Sequence, residues 1–418
     1  MQAGKLGPIL LCGLMIGPVL GSGIFILPPL VIEKAGQWAF PAWLAIMLIN
    51  AAFAYVFGWL SVMYPGESGV TKAVEKAFSP RIKMLTSFYL IASVCIGPAA
   101  VLLTIGEYLS ACTVTVNTSP PVIALAMIPL LLIIQLQRIR NIGTISFSLS
   151  SIGSLLLFSG GMLTLFSAGL PQIDLPPFSF HNFGGSMLLL FWIVVGWEVI
   201  GNYSNEIDKP SISIPRAVTY SVLAISLVEI AVAGGMQFGI PTGSAPGVSR
   251  LLIPIFGGFS SLVGGILVFG LCATTYLSIV GAVSRLLVSL AEESRIPAIF
   301  SWRMKNNAPI VAICVICGMH VIDLLLAVTG VVDLSGLVSF ANAFFLSNSL
   351  ICVLAGLRLF NTKFRKILAV ILALALTVVL LQSSPAAIIA VILIALWTCF
   401  PEIKTRIARK RKIASDSA

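Results

Sequence analysis

The chain has 418 residues, of which 58% are hydrophobic and only 10% are charged, and its formal net charge is +10. A soluble domain of this size needs more polar surface than such a composition supplies. The composition therefore argues against a soluble protein and favours an all-α integral membrane protein. A basic soluble chain would suggest nucleic acid as a partner. In a membrane protein, the distribution of the positive charges instead indicates which loops are cytoplasmic.

Long apolar runs separated by short polar joints predict twelve transmembrane helices. The predicted spans are 7–32, 39–63, 83–110, 120–138, 143–168, 184–203, 217–240, 258–292, 308–329, 334–358, 366–382 and 385–400. No predicted loop is long enough for a nucleotide-binding domain, and the sequence has no Walker motif. We therefore expect no ATP-driven transport by this chain alone.

Lysine and arginine residues concentrate in alternate predicted joints. With the N-terminus in the cytoplasm, nearly all of the loop cations fall in cytoplasmic joints and in the basic tail 401–418, whereas the opposite side has only Lys34 and Arg250. This asymmetry follows the positive-inside rule and predicts that both termini are cytoplasmic. The tail is expected to rest on anionic lipid headgroups rather than on nucleic acid.

Two of the predicted spans contain helix-breaking residues near their middle. The first has Gly21-Ser22-Gly23, and in the sixth Gly196 and Gly201 flank Glu198. Irregular backbone cannot face lipid, because each unpaired N–H or C=O group would cost several kcal/mol, so it survives where it lines a cavity. Paired interruptions at corresponding positions of two halves are typical of inverted-repeat secondary transporters.

The two interruptions also predict which ligand groups such a cavity binds. N–H groups at the start of a half-helix near Gly23 suit a carboxylate, and free carbonyl groups near Gly196 suit an ammonium group. Together they suit an α-amino acid. The alternative is that small residues spaced by four, as at Gly13 and Gly17, only allow close helix packing, and we apply that interpretation to those two glycines.

Five segments in chain order resemble motifs of the amino acid–polyamine–organocation (APC) superfamily. They are GSGIF at 21–25, YPGESGV at 64–70, FWIVVGWE at 191–198, NEIDKPSISIPRA at 205–217 and GAVSRLLVSLAEESRIPAIF at 281–300. The short chain and the segment ANAFFLSNSLICVLAGLRLF at 341–360 look most like the YjeH-type bacterial exporters of methionine and branched-chain amino acids.

This resemblance implies the fold of the bacterial leucine transporter, which is a five-plus-five inverted repeat with broken first and sixth helices. The first repeat would be 1–168 and the second 169–360, followed by two additional helices at 361–400 and the cytoplasmic tail at 401–418. The resemblance also implies a multi-pass protein of a bacterial inner membrane.

The resemblance further implies a substrate site at the two breaks. Its expected residues are Gly21, Ser22, Gly23, Ile24, Ser93, Gly97, Trp192, Val195, Gly196 and Ile279. Trp192 matches a gating tryptophan, and Glu198 matches a proton-linked glutamate, of the arginine–agmatine exchanger in this superfamily. The predicted fifth helix lacks the lysine that replaces sodium in some members, so the coupling ion stays open.

Four acidic residues fall within predicted spans, where a charge costs ~2.5–3.5 kcal/mol on insertion scales. They are Glu107, Glu198, Glu229 and Asp323. Glu198 is assigned to proton coupling, and no role is assigned to Glu107 or Glu229. Asp323 lies on the same predicted helix face as His320, and we expect the two to form a pair, with a proton relay as the alternative.

These features predict a secondary active transporter of amino acids that works by alternating access, without cofactor, metal or enzymatic reaction. The apolar candidates Val195 and Ile279 favour neutral hydrophobic substrates such as methionine, leucine, isoleucine and valine, with proton-coupled export as one mode. A cationic amino acid or polyamine exchanger is the alternative, followed by a channel, which would have polar pore-lining stripes. The direction of transport and the oligomeric state stay open.

Overall fold

The structure, a computed structural model, describes residues 7–65, 70–112, 118–136, 139–167, 176–197, 207–239, 247–305 and 307–399. Three features predicted from the sequence, namely Glu198, Gly201 and the basic tail 401–418, lie outside the described residues.

The first half of the described chain forms seven helices. They are α1 (Pro8–Leu20), α2 (Gly23–Ala35), α3 (Ala39–Met63), α4 (Val70–Ala77), α5 (Pro80–Cys112), α6 (Pro120–Gln135) and α7 (Ile139–Ser167). The helix α4 was not predicted as a separate element. It forms because Val70, Ala73 and Val74 are buried on one face while Lys72 and Glu75 lie on the other.

Besides a four-residue helix at Ile253–Phe256, the described second half has seven further helices. They are α8 (Phe180–Leu190), α9 (Pro210–Phe238), α10 (Ser260–Glu292), α11 (Ile310–Val328), α12 (Leu334–Leu359), α13 (Lys363–Leu380) and α14 (Pro385–Cys399). Two of these helices begin with residues that favour a helix N-terminus. Pro210 occupies the first turn of α9, and the side chain of Asp333 accepts a hydrogen bond of 2.8 Å from the N–H of Gly336 at the start of α12.

Seven helical stretches of the described chain are long and apolar enough to cross a membrane, and three shorter apolar helices accompany them. The predicted spans at 258–292, 308–329 and 334–358 agree with α10, α11 and α12 to within two residues at each end. The fold is therefore that of an all-helical membrane protein. The count of twelve spans and the inverted repeat remain predictions.

Two groups of helices surround the interrupted segments. In one group α9 packs against α1, α3 and α7, and in the other α5 packs against α6, α10, α11 and α12. Glycines allow the closest approaches. A methyl group on Gly161 of α7 would lie 2.6 Å from the carbonyl oxygen of Ala231 in α9, so these two backbones touch. This packing holds in place the helices that contact the interrupted segments.

Candidate substrate site

The first interruption lies where the sequence predicts it. Helix α1 ends at Leu20, and α2 begins at Gly23. Gly21 has backbone angles of φ 5° and ψ −115°, and its N–H closes α1 by donating to the oxygen of Gly17 at 2.9 Å. The N–H groups of Gly23 and Ile24 precede the first hydrogen bonds of α2, which Phe25 and Ile26 donate to the oxygen of Ser22, so a polarised half-helix N-terminus lies within the apolar run.

The second interruption follows α8. The helix ends at Leu190 and continues as a 3-10 turn over Phe191–Val194, after which Val195 is extended. Gly196 has φ of 126°, in the left-handed region that favours glycine. The predicted break of the sixth span therefore begins within the described residues, although Glu198 and Gly201 themselves are not among them.

Carbonyl groups exposed by the second interruption are bonded by a side chain from α12. The Nδ2 atom of Asn342, which is fully buried, donates to the oxygen of Leu188 at 2.7 Å and to the oxygen of Leu189 at 3.4 Å. These are backbone acceptors of the last turn of α8, and the oxygen of Leu189 also accepts from the N–H of Phe191. Asn342 thus ties the end of α8 to α12 inside the protein.

A buried hydrogen bond joins the two interruptions. The indole Nε1 of Trp192 donates to the hydroxyl oxygen of Ser22 at 3.0 Å. A methyl group on Gly23 would lie 2.7 Å from Cγ2 of Ile193 and 3.3 Å from Cδ1 of Trp192. The two broken segments are therefore in direct contact, and a side chain larger than hydrogen at Gly23 would push them apart.

The indole ring of Trp192 reaches from the first interruption to α5. A methyl group on Gly97 would lie 3.0 Å from Cη2 of the ring, so Gly97 provides the space for its far edge. The ring also meets Phe345 of α12 edge-on, with centroids 6.4 Å apart. Trp192 is consequently clamped between three helices.

A small cavity lies beneath Trp192. Its volume is about 10 Å³, and its described lining residues are Pro98, Trp192, Val195, Thr275, Ile279 and Phe345. This space holds about one water molecule, so the site is closed around the tryptophan in this conformation. An amino acid is larger than this space and would fit only after side chains of the lining move.

The structure brings most of the predicted site residues together. Val195 and Ile279 line the cavity, Gly97 and Gly23 contact Trp192, and Gly21 faces the side chain of Thr275 on α10. Two of the predicted residues have other surroundings. The hydroxyl of Ser93 donates to the oxygen of Leu90 in its own helix at 2.8 Å, and Ile24 is fully buried in the apolar core without lining the cavity.

Three lining residues were not predicted from the sequence, namely Pro98, Thr275 and Phe345. Thr275 lies one turn before Ile279 on the same face of α10, so helical spacing from Ile279 could have indicated it. Phe345 lies within the segment 341–360 that resembles the exporters, but nothing in that segment indicates which of its aromatic residues faces the site.

A second buried polar network lies behind the cavity wall. Pro98 has no N–H, which leaves the oxygen of Val94 without its helical donor. Nε2 of the fully buried His320 lies 2.8 Å from that oxygen, and Nδ1 lies 3.0 Å from the hydroxyl of Tyr276. Because a carbonyl can only accept, Nε2 carries the proton and Nδ1 accepts from the tyrosine.

The expected pair between His320 and Asp323 is therefore wrong. Helical spacing correctly placed both residues on α11, but each ring nitrogen of His320 bonds to a neighbouring helix instead. Among the other intramembrane acids, Glu229 is fully buried on α9, and neither of its carboxylate oxygens has a hydrogen-bond partner in the described part of the chain. Glu107 lines a separate cavity.

Comparison with known proteins gives matches along almost the whole chain. The model of the amino acid permease family matches residues 6–408. Over 405 residues the chain is 24% identical to the L-methionine/branched-chain amino acid exporter YjeH of Escherichia coli (strain K12), covering 94% of this chain and 95% of the exporter. It is also 23% identical over 363 residues to the uncharacterized amino acid permease YecA of Bacillus subtilis (strain 168), covering 84% of each.

A more distant relative comes from an animal. Over 346 residues the chain is 23% identical to the large neutral amino acids transporter small subunit 2 of Mus musculus, covering 75% of this chain and 63% of the transporter.

Proposed function

The chain belongs to the amino acid permease family, and from that premise we propose that it carries neutral hydrophobic L-amino acids across a bacterial inner membrane by alternating access. The observation that carries the proposal is the contact between the two interrupted helices, made by Trp192 and Ser22. Such paired breaks place unsatisfied backbone groups at a membrane-embedded cavity.

Helix contacts support the proposed inverted repeat. If α1–α2 corresponds to α8, and α3, α5, α6 and α7 correspond to α9, α10, α11 and α12, contacts should occur in matching pairs. The contact of α1 with α9 matches that of α8 with α3, and the contact of α1 with α7 matches that of α8 with α12. The contacts of α5 with α12 and of α10 with α7 form a third matching pair.

The site chemistry supports an α-amino acid as substrate. The half-helix N-terminus at Gly23 would bind the carboxylate, and carbonyl groups at the interruption after Val195 would bind the ammonium group. Trp192 would act as the gate, because its indole fills the space that a substrate needs. We propose that the other predicted site residues, Ser22, Gly97 and Ile279 among them, also belong to this substrate site.

The lining of the cavity favours an apolar side chain. Val195, Ile279, Phe345 and Pro98 are apolar, and the described lining residues carry no charge. The substrates named for the Escherichia coli relative, methionine and the branched-chain amino acids, have the side chains that such a lining suits. A cationic amino acid exchanger is the alternative, because Glu198, three residues after Val195 in the sequence, could provide a negative charge.

Proton coupling through Glu198 and export as the direction are part of the proposal. Glu198 directly follows Trp197, at the end of the interrupted segment in sequence. The helix α7 has no lysine that could replace a bound sodium ion. With both termini in the cytoplasm, the two loop cations Lys34 and Arg250 would lie on the outside.

Reconstitution of the purified protein tests this function. Proteoliposomes are loaded with unlabelled leucine, and the entry of labelled leucine is measured with and without pH and sodium gradients. We expect exchange above that of empty liposomes and acceleration by a pH gradient. No exchange of any of the twenty amino acids would contradict the proposed function.

A further inference from the structure

His320 on α11 is not among the described lining residues of the cavity at Trp192, but its two hydrogen bonds reach two helices that form the walls of that cavity. We propose that His320 is a positioning residue of the substrate site, which holds α5 and α10 at the separation that substrate binding needs. The inference rests on the proposed function and adds a residue outside the cavity to the determinants of substrate affinity.

The first of the two bonds holds α5 at its weakest point. Pro98 interrupts the hydrogen bonds of α5, because it has no N–H to donate to the oxygen of Val94. Nε2 of His320 lies 2.8 Å from that oxygen and replaces the missing donor. Helices bend most readily at an internal proline, so the donor from α11 fixes the position of α5 at this turn.

The same turn of α5 shapes the substrate site. Pro98 lines the cavity, and the preceding residue, Gly97, leaves the space for the far edge of the Trp192 indole. A methyl group on Gly97 would lie 3.0 Å from Cη2 of that ring and 3.4 Å from Cβ of Ala341. Because the clearances are this small, even a slight shift of this turn changes the space for the indole and for a substrate.

The second bond reaches α10. Nδ1 of His320 accepts from the hydroxyl of Tyr276 at 3.0 Å, and the two rings meet edge to face with centroids 5.3 Å apart. Tyr276 is fully buried and directly follows Thr275, which lines the cavity. The hydroxyl also lies 3.4 Å from Sγ of Cys317 on α11. The wall at Thr275 is thereby attached to the same helix as the wall at α5.

Replacement of His320 by leucine would remove this shared attachment. Leucine could neither donate to the oxygen of Val94 nor accept from the hydroxyl of Tyr276. The oxygen of Val94 would then need another donor, which in a buried position requires either movement of the α5 backbone or entry of water. Either change alters the cavity at Pro98, so we expect substrate affinity to fall in addition to the loss of stability.

Equilibrium binding separates this role from a purely structural one. The dissociation constant of labelled methionine and the number of sites per protein are measured on detergent-purified protein, well below the unfolding temperature. In His320→Leu we expect the dissociation constant to rise about ten-fold with the number of sites unchanged, as for the loss of a buried hydrogen bond. His320→Gln has one amide donor and one acceptor, as the neutral imidazole has, and should restore the affinity to within about two-fold of the wild type.

Leu324→Ala is the matched control for lost stability. Leu324 is fully buried on α11, one turn after His320. Its truncation leaves a cavity and should lower the unfolding temperature at least as much as His320→Leu does, while the affinity for methionine stays unchanged. An equal loss of affinity in Leu324→Ala would show that any destabilisation of α11 weakens binding and would overturn the proposal. Unchanged affinity in His320→Leu would overturn it as well.

A double-mutant cycle tests the route through Val94. In Pro98→Ala the backbone N–H of residue 98 can donate to the oxygen of Val94, so the donor from His320 becomes redundant. We therefore expect His320→Leu to raise the dissociation constant about ten-fold in the wild-type background but less than about three-fold in the Pro98→Ala background. An equal rise in both backgrounds would overturn the role assigned to the bond at Val94.

Tyr276→Phe is a milder test of the bond to α10. It keeps the buried ring and removes only the hydroxyl, so it tests the proposal even where His320→Leu fails to fold. We expect the dissociation constant to rise about three-fold, and an unchanged value would overturn the role assigned to α10. A wild-type protein that binds no amino acid would instead contradict the proposed function, so the two failures are distinguishable.

Discussion

Trp192 and Ser22 are 170 residues apart in the chain, and the indole N–H of one donates to the hydroxyl oxygen of the other at 3.0 Å in the buried centre of the protein. Each residue belongs to a helix interruption, so this bond couples the two breaks. The cavity beneath the indole is only about 10 Å³. If this is the substrate site, as we propose, a change in the position of Trp192 on substrate entry would disturb both interrupted helices at once.

Gly23→Leu is expected to abolish leucine binding while leaving a folded, inserted protein. Even a methyl group at this position would lie 2.7 Å from Cγ2 of Ile193, so a larger side chain blocks the start of α2. Binding to purified protein is measured by scintillation proximity with labelled leucine. Gly318→Leu, at an exposed glycine of α11 with no atom within 4 Å of the added group, is the control. Normal affinity in Gly23→Leu would exclude the half-helix as the carboxylate site.

Removal of the hydrogen bond between Trp192 and Ser22 should destabilise the closed site. We expect Trp192→Phe and Ser22→Ala each to lower the free energy of unfolding by about 1 kcal/mol, and the double variant to lose little more than either single variant. Thermal unfolding of the detergent-purified protein measures this, with Trp397→Phe, an exposed tryptophan, as the control. Fully additive losses would mean that the two residues do not act together.

His320 is expected to stabilise the wall behind the site. His320→Leu leaves the oxygen of Val94 without its donor and removes one of the two partners of the Tyr276 hydroxyl, which should cost about 1–3 kcal/mol of stability. Thermal unfolding again provides the measurement, and His181→Leu, at the exposed second histidine, is the matched control. If His320→Leu were as stable as the wild type, the network would have no structural importance.

Glu198→Gln should flatten the pH dependence of transport without abolishing binding, because glutamine cannot take up or release a proton. Leucine exchange in proteoliposomes between pH 5 and pH 8 measures the profile, and leucine binding to the same preparation shows that the site is intact. An unchanged pH profile would reduce Glu198 to a structural role and would leave the coupling ion unassigned.

The sequence alone was sufficient to predict features that depend on residues close together in the chain. Gly21-Ser22-Gly23 predicts an interruption of an apolar span, and the structure has the break there. The bond between Ser22 and Trp192 could not be predicted in the same way, because it depends on how two distant segments meet.

The error at His320 has a similar origin. Helical spacing relates residues on one helix but does not say which neighbouring helix a side chain meets. One signal was available, since Pro98 frees the carbonyl four residues earlier and so indicates a donor from another helix.

Competition for leucine exchange tests the central claim most directly. Labelled leucine is exchanged in proteoliposomes against a large excess of unlabelled methionine, isoleucine, valine, arginine or glutamate. The apolar lining at Val195, Ile279 and Phe345 predicts strong competition by the first three and none by the last two. Competition by arginine equal to that of methionine would contradict this account and would assign the protein to the cationic or broad-specificity exchangers.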